Sequence, residues 1–257
     1  MNMWYPMLPA DMEQLSRLRR AIAKSEALPE ETRSLALGVP AIDAALGGGL
    51  PGAALHELSA TPLHLGAAAG FALALATLAQ ERTRETLWIA TDFGNLETGT
   101  LYGPGLDQFG LPADRLLIAR VARPVDALFA MEEALKCRAL SAVIAELGDA
   151  PDLIATRRLS LAAKDHGGLG LILRHTSSDA PSAARTRWQV AAAPSVPDEF
   201  GGLGRTAFSL ELTRNRRGPC GTWTLTWDHH ERVFAALSLG VAEAARDRQD
   251  RETLRTG

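Results

Sequence analysis

No lysine occurs between Lys24 and Lys136. A protein that binds nucleotide phosphates through a loop and helix early in its chain would need one there. Cysteine is scarce as well. Cys137 and Cys220 lie far apart, without a CxxC or Cys/His ligand spacing, which argues against a zinc site or a disulfide framework and fits a reducing cytoplasm. The opening MNMWYPMLPADMEQ has no basic stretch leading into an apolar one, so no secretory signal is expected. The most apolar run, Ala67 to Ala79, is alanine-rich and too short to span a bilayer. No GxSxG sequence appears, so nucleophile-elbow catalysis has no support. Neither sign of charge dominates: 27 Lys and Arg stand against 30 Asp and Glu, a net charge of −3. The whole-chain balance therefore predicts no polyanion binding.

The chain is long enough, at 257 residues, to bury a sizeable core. From Asp11 to Ala27 the pattern is helical, with Met12, Leu15, Leu18 and Ile22 on one stripe and Arg17, Arg19, Arg20 and Lys24 opposite. Such an arm packs either on its own domain or on a neighbouring subunit or partner. Residues 1–34 are read as this arm, 35–240 as the core, and 241–257 as a charged tail with four Arg against four Asp and Glu.

Within the core, short apolar runs alternate with helical stripes. Strands are expected near Ala53–Leu58, Thr86–Ala90, Leu116–Ala119, Ala142–Ala145 and Leu169–Leu173. Helices are expected from Pro40, over Gly66–Gln80, near Leu106, over Val125–Arg138 and over Leu153–Asp165. That grammar signals a mostly parallel sheet sandwiched by helices. After His175 the pattern changes. Trp188–Ala192, Ala207–Thr213 and Thr222–Trp227 read as an antiparallel meander added to the sheet edge.

The stretch from Leu37 to Leu78 organises the whole: short helix, glycine turn, strand, loop, apolar helix. Its loop, ATPLHLGAAAG, has the outline of a phosphate loop without its charged chemistry. With Gly66 as the glycine before the lysine, Ala67 and Ala68 stand where Lys and Thr belong. Each lost charge-assisted phosphate contact costs on the order of 1.5–3 kcal/mol, so useful ATP affinity is expected to be gone. Asp92 and Glu146 still end two strands, where a water-orienting carboxylate and a magnesium-directing one would sit. They are read as solvated edge residues or relics, and His175 likewise.

From Arg157 to Arg217 ten basic residues stand against five acidic ones. Solvated arginines and a phosphate-facing surface are both consistent with that excess. The densest cluster is RNRRG, at a predicted turn whose side chains project into solvent. Arg214, Arg216 and Arg217 would there meet nucleic-acid phosphates or an acidic partner. Trp188, Trp223 and Trp227 share a predicted sheet, where they would pack in the core or stack on bases.

LGVPAIDAALGGGLPGAALHEL, LWIATDFGNLE, GLPADRLLIARVARPVDALFAMEEAL, AVIAE and LGLILRH resemble, in order, the core of RecA-type recombinases. RNRRGP resembles the basic turn whose two cations approach ATP across a subunit interface, with Arg214 and Arg216 at those positions. The degenerate loop followed by GAAAGFALALA is similar to the ImuA family, the RecA-related members of bacterial damage-inducible mutagenesis cassettes. That resemblance implies a RecA-like fold, lost ATPase activity and no cofactor or metal. It implies a non-catalytic adaptor in translesion synthesis that bridges ImuB and, indirectly, an error-prone C-family DNA polymerase. RecA, weak nucleic-acid contact and a second copy of the chain are further expected partners. The rival readings are an ATP-dependent RecA-type DNA-binding protein, with His64 as the substitute cation, and a cell-division inhibitor similar to SulA.

Overall fold

Apolar runs covered on both faces have no polar side to alternate with, and such runs form the inner parallel strands of the sheet. The structure, a computed structural model, describes residues 34–81, 84–92, 99–195, 202 and 204–237. The candidate helix carrying Met12, Leu15, Leu18 and Ile22, and the 241–257 tail, lie outside the described residues.

A two-stranded ribbon of β1 (Ser34–Leu35) and β2 (Leu50–Pro51) flanks α1 (Pro40–Ala45). Pro40 opens the helix, where its missing N–H costs nothing. Gly47, Gly48 and Gly49 reverse the chain with φ of 74°, 107° and 126°, values open to glycine. Next come β3 (Leu55–Ser59), a 3-10 turn (Pro62–His64) and α2 (Leu65–Ala79). Beyond them run β4 (Glu85–Thr91), α3 (Gly103–Gln108), β5 (Leu116–Val121), α4 (Pro124–Leu135) and β6 (Leu140–Leu147). The last helix described is α5 (Leu153–His166), capped by Asp152, whose side chain accepts from Ala155 N–H at 2.7 Å. Then follow β7 (Leu169–Arg174), β8 (Thr186–Ala192), β9 (Ala207–Asn215), β10 (Gly221–Asp228) and β11 (Val233–Ala236).

Among the described residues, nine strands form one sheet in the order β11-β10-β9-β8-β3-β7-β6-β4-β5. Pairings from β8 to β5 are parallel, and those from β8 to β11 antiparallel. This is the expected α/β sheet of the RecA-like kind with its antiparallel extension. One assignment is corrected. The strand at Trp188–Ala192 is not wholly part of the meander: β8 runs parallel to β3 and antiparallel to β9. Residues 175–185 carry the chain back along the sheet before β8 begins, and that connection, not the strand's own side-chain pattern, sets its direction.

Each face of the sheet has its own core. On one side lies α2, apolar nearly all round and largely buried. The run Pro62–Ala79 is apolar and long enough to span a membrane, contrary to the length expected from the sequence. Its apolarity is used against the sheet, where Phe71 meets Trp188, Phe208 and Phe234 at ring separations of 6.0, 5.9 and 5.6 Å. Trp188 and Trp227 are both buried here, which rules out base stacking by these two rings. On the other side, α4 and α5 cover β6, β7 and β3.

His56 lies in the first core between two partners, with Nδ1 2.7 Å from Thr186 Oγ1 and Nε2 2.9 Å from Pro51 O. Burial pushes its pKa from 6.5 to about 4, against the Pro51 hydrogen bond and helped by the nearby Arg185 charge. Between these values the unfolded chain takes up a proton that the folded chain refuses. The stability from neutral His56 is therefore complete above 6.5 and lost as pH falls toward 4. From about pH 7 to about pH 5 the native protein should lose roughly 2 kcal/mol more than a His56→Asn variant. Urea unfolding at the two pH values checks this, and equal losses would refute it.

Candidate functional site

The carboxyl edge of the parallel strands is where an open α/β sheet places ligands. Here β3 leads through Ser59 and Ala60 into the loop that would cradle phosphate. A cradle needs free, converging backbone N–H groups. This loop instead closes as a 3-10 turn, with no N–H at Pro62 and the His64 N–H given to Thr61 O at 2.8 Å. Leu63 projects from its tip, 93% exposed. Gly66 is exposed in the first turn of α2, Ala67 is half-buried and Ala68 is fully buried in the core. The position that would hold a magnesium-binding hydroxyl is therefore occupied by a core methyl group.

The other sequence candidates separate into two sets. Glu146 and His175 come together, His175 Nε2 lying 3.1 Å from Glu146 Oε1 across the ends of β6 and β7. Asp92 follows Thr91 and is exposed. His64 is not a spare cation. Its Nδ1 accepts the Ala192 N–H at 3.3 Å, which ties the ring to β8 rather than leaving it free over the loop. A cleft of about 400 Å³ lies beside the loop. Trp88, Phe109 and Ile118 wall it, with Gly66, Arg120 and Glu146 also lining it. One cation, Arg120, and one carboxylate, Glu146, line it together, so their charges offset and the cleft offers a polyphosphate no net positive charge.

Sequence reasoning passed over the most highly charged part of the interior. Glu57, in the middle of β3, is buried. Its carboxylate takes Arg187 Nε at 3.0 Å and the Ser182 hydroxyl, with Arg174 Nη2 at 3.4 Å. Arg187 also donates to Ser178 O and Ala180 O, both at 2.8 Å. Arg174 is fully buried. Burial lowers its pKa below the ordinary guanidinium value, with Glu57 opposing and Arg187 reinforcing that shift. One signal was available: LHELS places a lone acid in an otherwise core-bound strand, and buried acids require partners.

The basic turn projects in part: Arg216 and Arg217 are exposed, whereas Arg214 is drawn inward. Arg214 is half-buried and donates from Nη1 to Ser182 O at 2.9 Å, and Arg216 donates from Nη2 to the same oxygen at 3.3 Å. Asn215 anchors the turn to Ala45 O at 2.8 Å. Two of the three arginines therefore buttress the 175–185 connection, because the carbonyls of that connection need donors once it packs on the sheet.

No family model matches the chain. Protein ImuA from two strains of Caulobacter vibrioides, NA1000 and CB 15, is in each case 36% identical over 211 residues. The match covers 76% of this chain and 83% of the relative.

The buried cluster makes a definite stability prediction. Glu57→Gln should cost roughly 3–5 kcal/mol, because it leaves two buried guanidinium groups without a counter-charge. Ser182→Ala, which removes one hydrogen bond to the carboxylate, should cost about 1–2 kcal/mol. Asp92→Ala should change stability by less than about 0.5 kcal/mol. Denaturant titrations rank the three, and a Glu57 variant as stable as the native chain would contradict the assignment.

Proposed function

The chain belongs to the ImuA family, and from that premise we propose that it is a non-catalytic RecA-like adaptor in DNA-damage-induced translesion synthesis. It bridges ImuB and, through it, an error-prone C-family DNA polymerase, with RecA a further partner. It works in the cytoplasm and has no ATPase activity. The observation carrying this reading is the contrast between an intact sheet and an altered phosphate loop. Nine strands among the described residues form one continuous sheet, while Ala67 and Ala68 stand at the lysine and hydroxyl positions and the loop closes as a 3-10 turn. A fold kept without its phosphate chemistry is suited to presenting surfaces.

The experiment is co-purification with ImuB from the same genome, with and without magnesium and ATP. A complex of the same affinity is expected in both conditions. Asp92→Ala and Glu146→Ala are expected to leave that affinity unchanged, as well as damage-induced mutation frequency in cells. A complex that forms only with ATP, or one lost in Asp92→Ala, would overturn the proposal.

A further inference from the structure

Exposed apolar side chains are unevenly distributed on this protein. Among the described residues nine large ones are exposed, and five of them, Leu117, Val125, Phe129, Ile154 and Leu161, share one side of the sheet. Each of the five is between 52% and 69% exposed. Val125 and Phe129 are four apart on α4, and Ile154 and Leu161 seven apart on α5, so each pair lies on one helix face. The inward faces are separately filled by Ala127, Met131 and Leu135 on α4 and by Leu159 and Ala163 on α5. Both helices thus carry a second apolar stripe that the core formed by the described residues does not use.

The charges beside these stripes are also uneven. On α4 the acids are already matched: Asp126 by Arg123, and Glu132 and Glu133 by Arg158 and Lys136. On α5, Arg157 and Lys164 are exposed seven residues apart, in step with Ile154 and Leu161. No acidic side chain among the described residues pairs with either of them. Asp165, also exposed, leaves the rim with a small positive excess.

We propose that the outer face of the α4–α5 layer is a docking surface for a partner protein's amphipathic helix, with an apolar stripe and an acidic flank. Leucine-like side chains at spacings of three and four would cover Phe129, Ile154 and Leu161, and the acids would meet Arg157 and Lys164. A bilayer fits less well, because the exposed Asp165 would face its anionic headgroups. The inference does not depend on which protein carries the helix, nor on the adaptor reading.

The test is fluorescence anisotropy of the full chain with a labelled, designed helical peptide of about 20 residues. It carries leucines at one stripe and glutamates on one flank; a second probe has lysines in place of the glutamates. Saturable binding of the glutamate probe is expected, weaker by about tenfold or more in Phe129→Asp and in Leu161→Asp. The double variant Arg157→Glu, Lys164→Glu should come to prefer the lysine probe. Both apolar sites are exposed, so circular dichroism should show unchanged folding. Absent binding, equal binding by the variants, or a native preference for the lysine probe would overturn the proposal. So would binding confined to phosphatidylserine vesicles, or self-association that Phe129→Asp abolishes.

Discussion

A carboxylate buried in the middle of a sheet must be answered by positive groups from elsewhere in the chain, and Glu57 draws its partners from three places. Arg174 comes from the neighbouring strand β7, Arg187 from β8 on the other side, and Ser182 from the connection between them. β8, the strand at which the sheet changes from parallel to antiparallel pairing, is thereby tied to the parallel half as a seam. Ser182 extends the arrangement, since its carbonyl takes Arg214 and Arg216 from the turn after β9. In a low-dielectric interior such a cluster adds less net stability than specificity: removing one member strands the others. What Glu57 secures is the path of residues 175–185 over the sheet.

That seam bears on function through what it leaves unavailable. A recombinase-like use of the chain would need free cations at the turn after β9 and a mobile segment after β7. Here Arg214 and Arg216 are turned onto Ser182 O, and Ala183 N–H is held by Thr156 Oγ1 at 3.1 Å. At the other end of β3, the phosphate loop has become a 3-10 turn, and His64 is tied to β8. His64 and Arg214 are thus engaged within the protein, while four of the nine exposed large apolar side chains among the described residues lie on α4 and α5.

Much of this was legible in the sequence. Periodicity located the parallel strands and the covering helices to within a few residues, because burial on both faces leaves continuous apolar runs. The three glycines after α1 were legible as a reversal, and their positive φ values bear that out. The substitutions at Ala67 and Ala68 could be read directly. The direction of β8 could not, since alternation along a strand says nothing about its neighbours' orientation. β11 escaped because VFAA is short and follows the loop at Asp228 to Arg232, where Arg232 adopts φ 55°. The inward turn of Arg214 was hidden because it depends on Ser182, 32 residues away, and the Glu57 cluster for the same reason: its members are separated by up to 130 positions.

The most direct measurement is a calorimetric titration of the purified chain with ATP and magnesium, beside a thermal-shift control. A closed loop without lysine or hydroxyl predicts no heat and no stabilisation at roughly millimolar nucleotide, where a site with a micromolar Kd would be saturated. Saturable binding at micromolar ATP would contradict the central claim, and would mean that the loop opens to a phosphate-binding form.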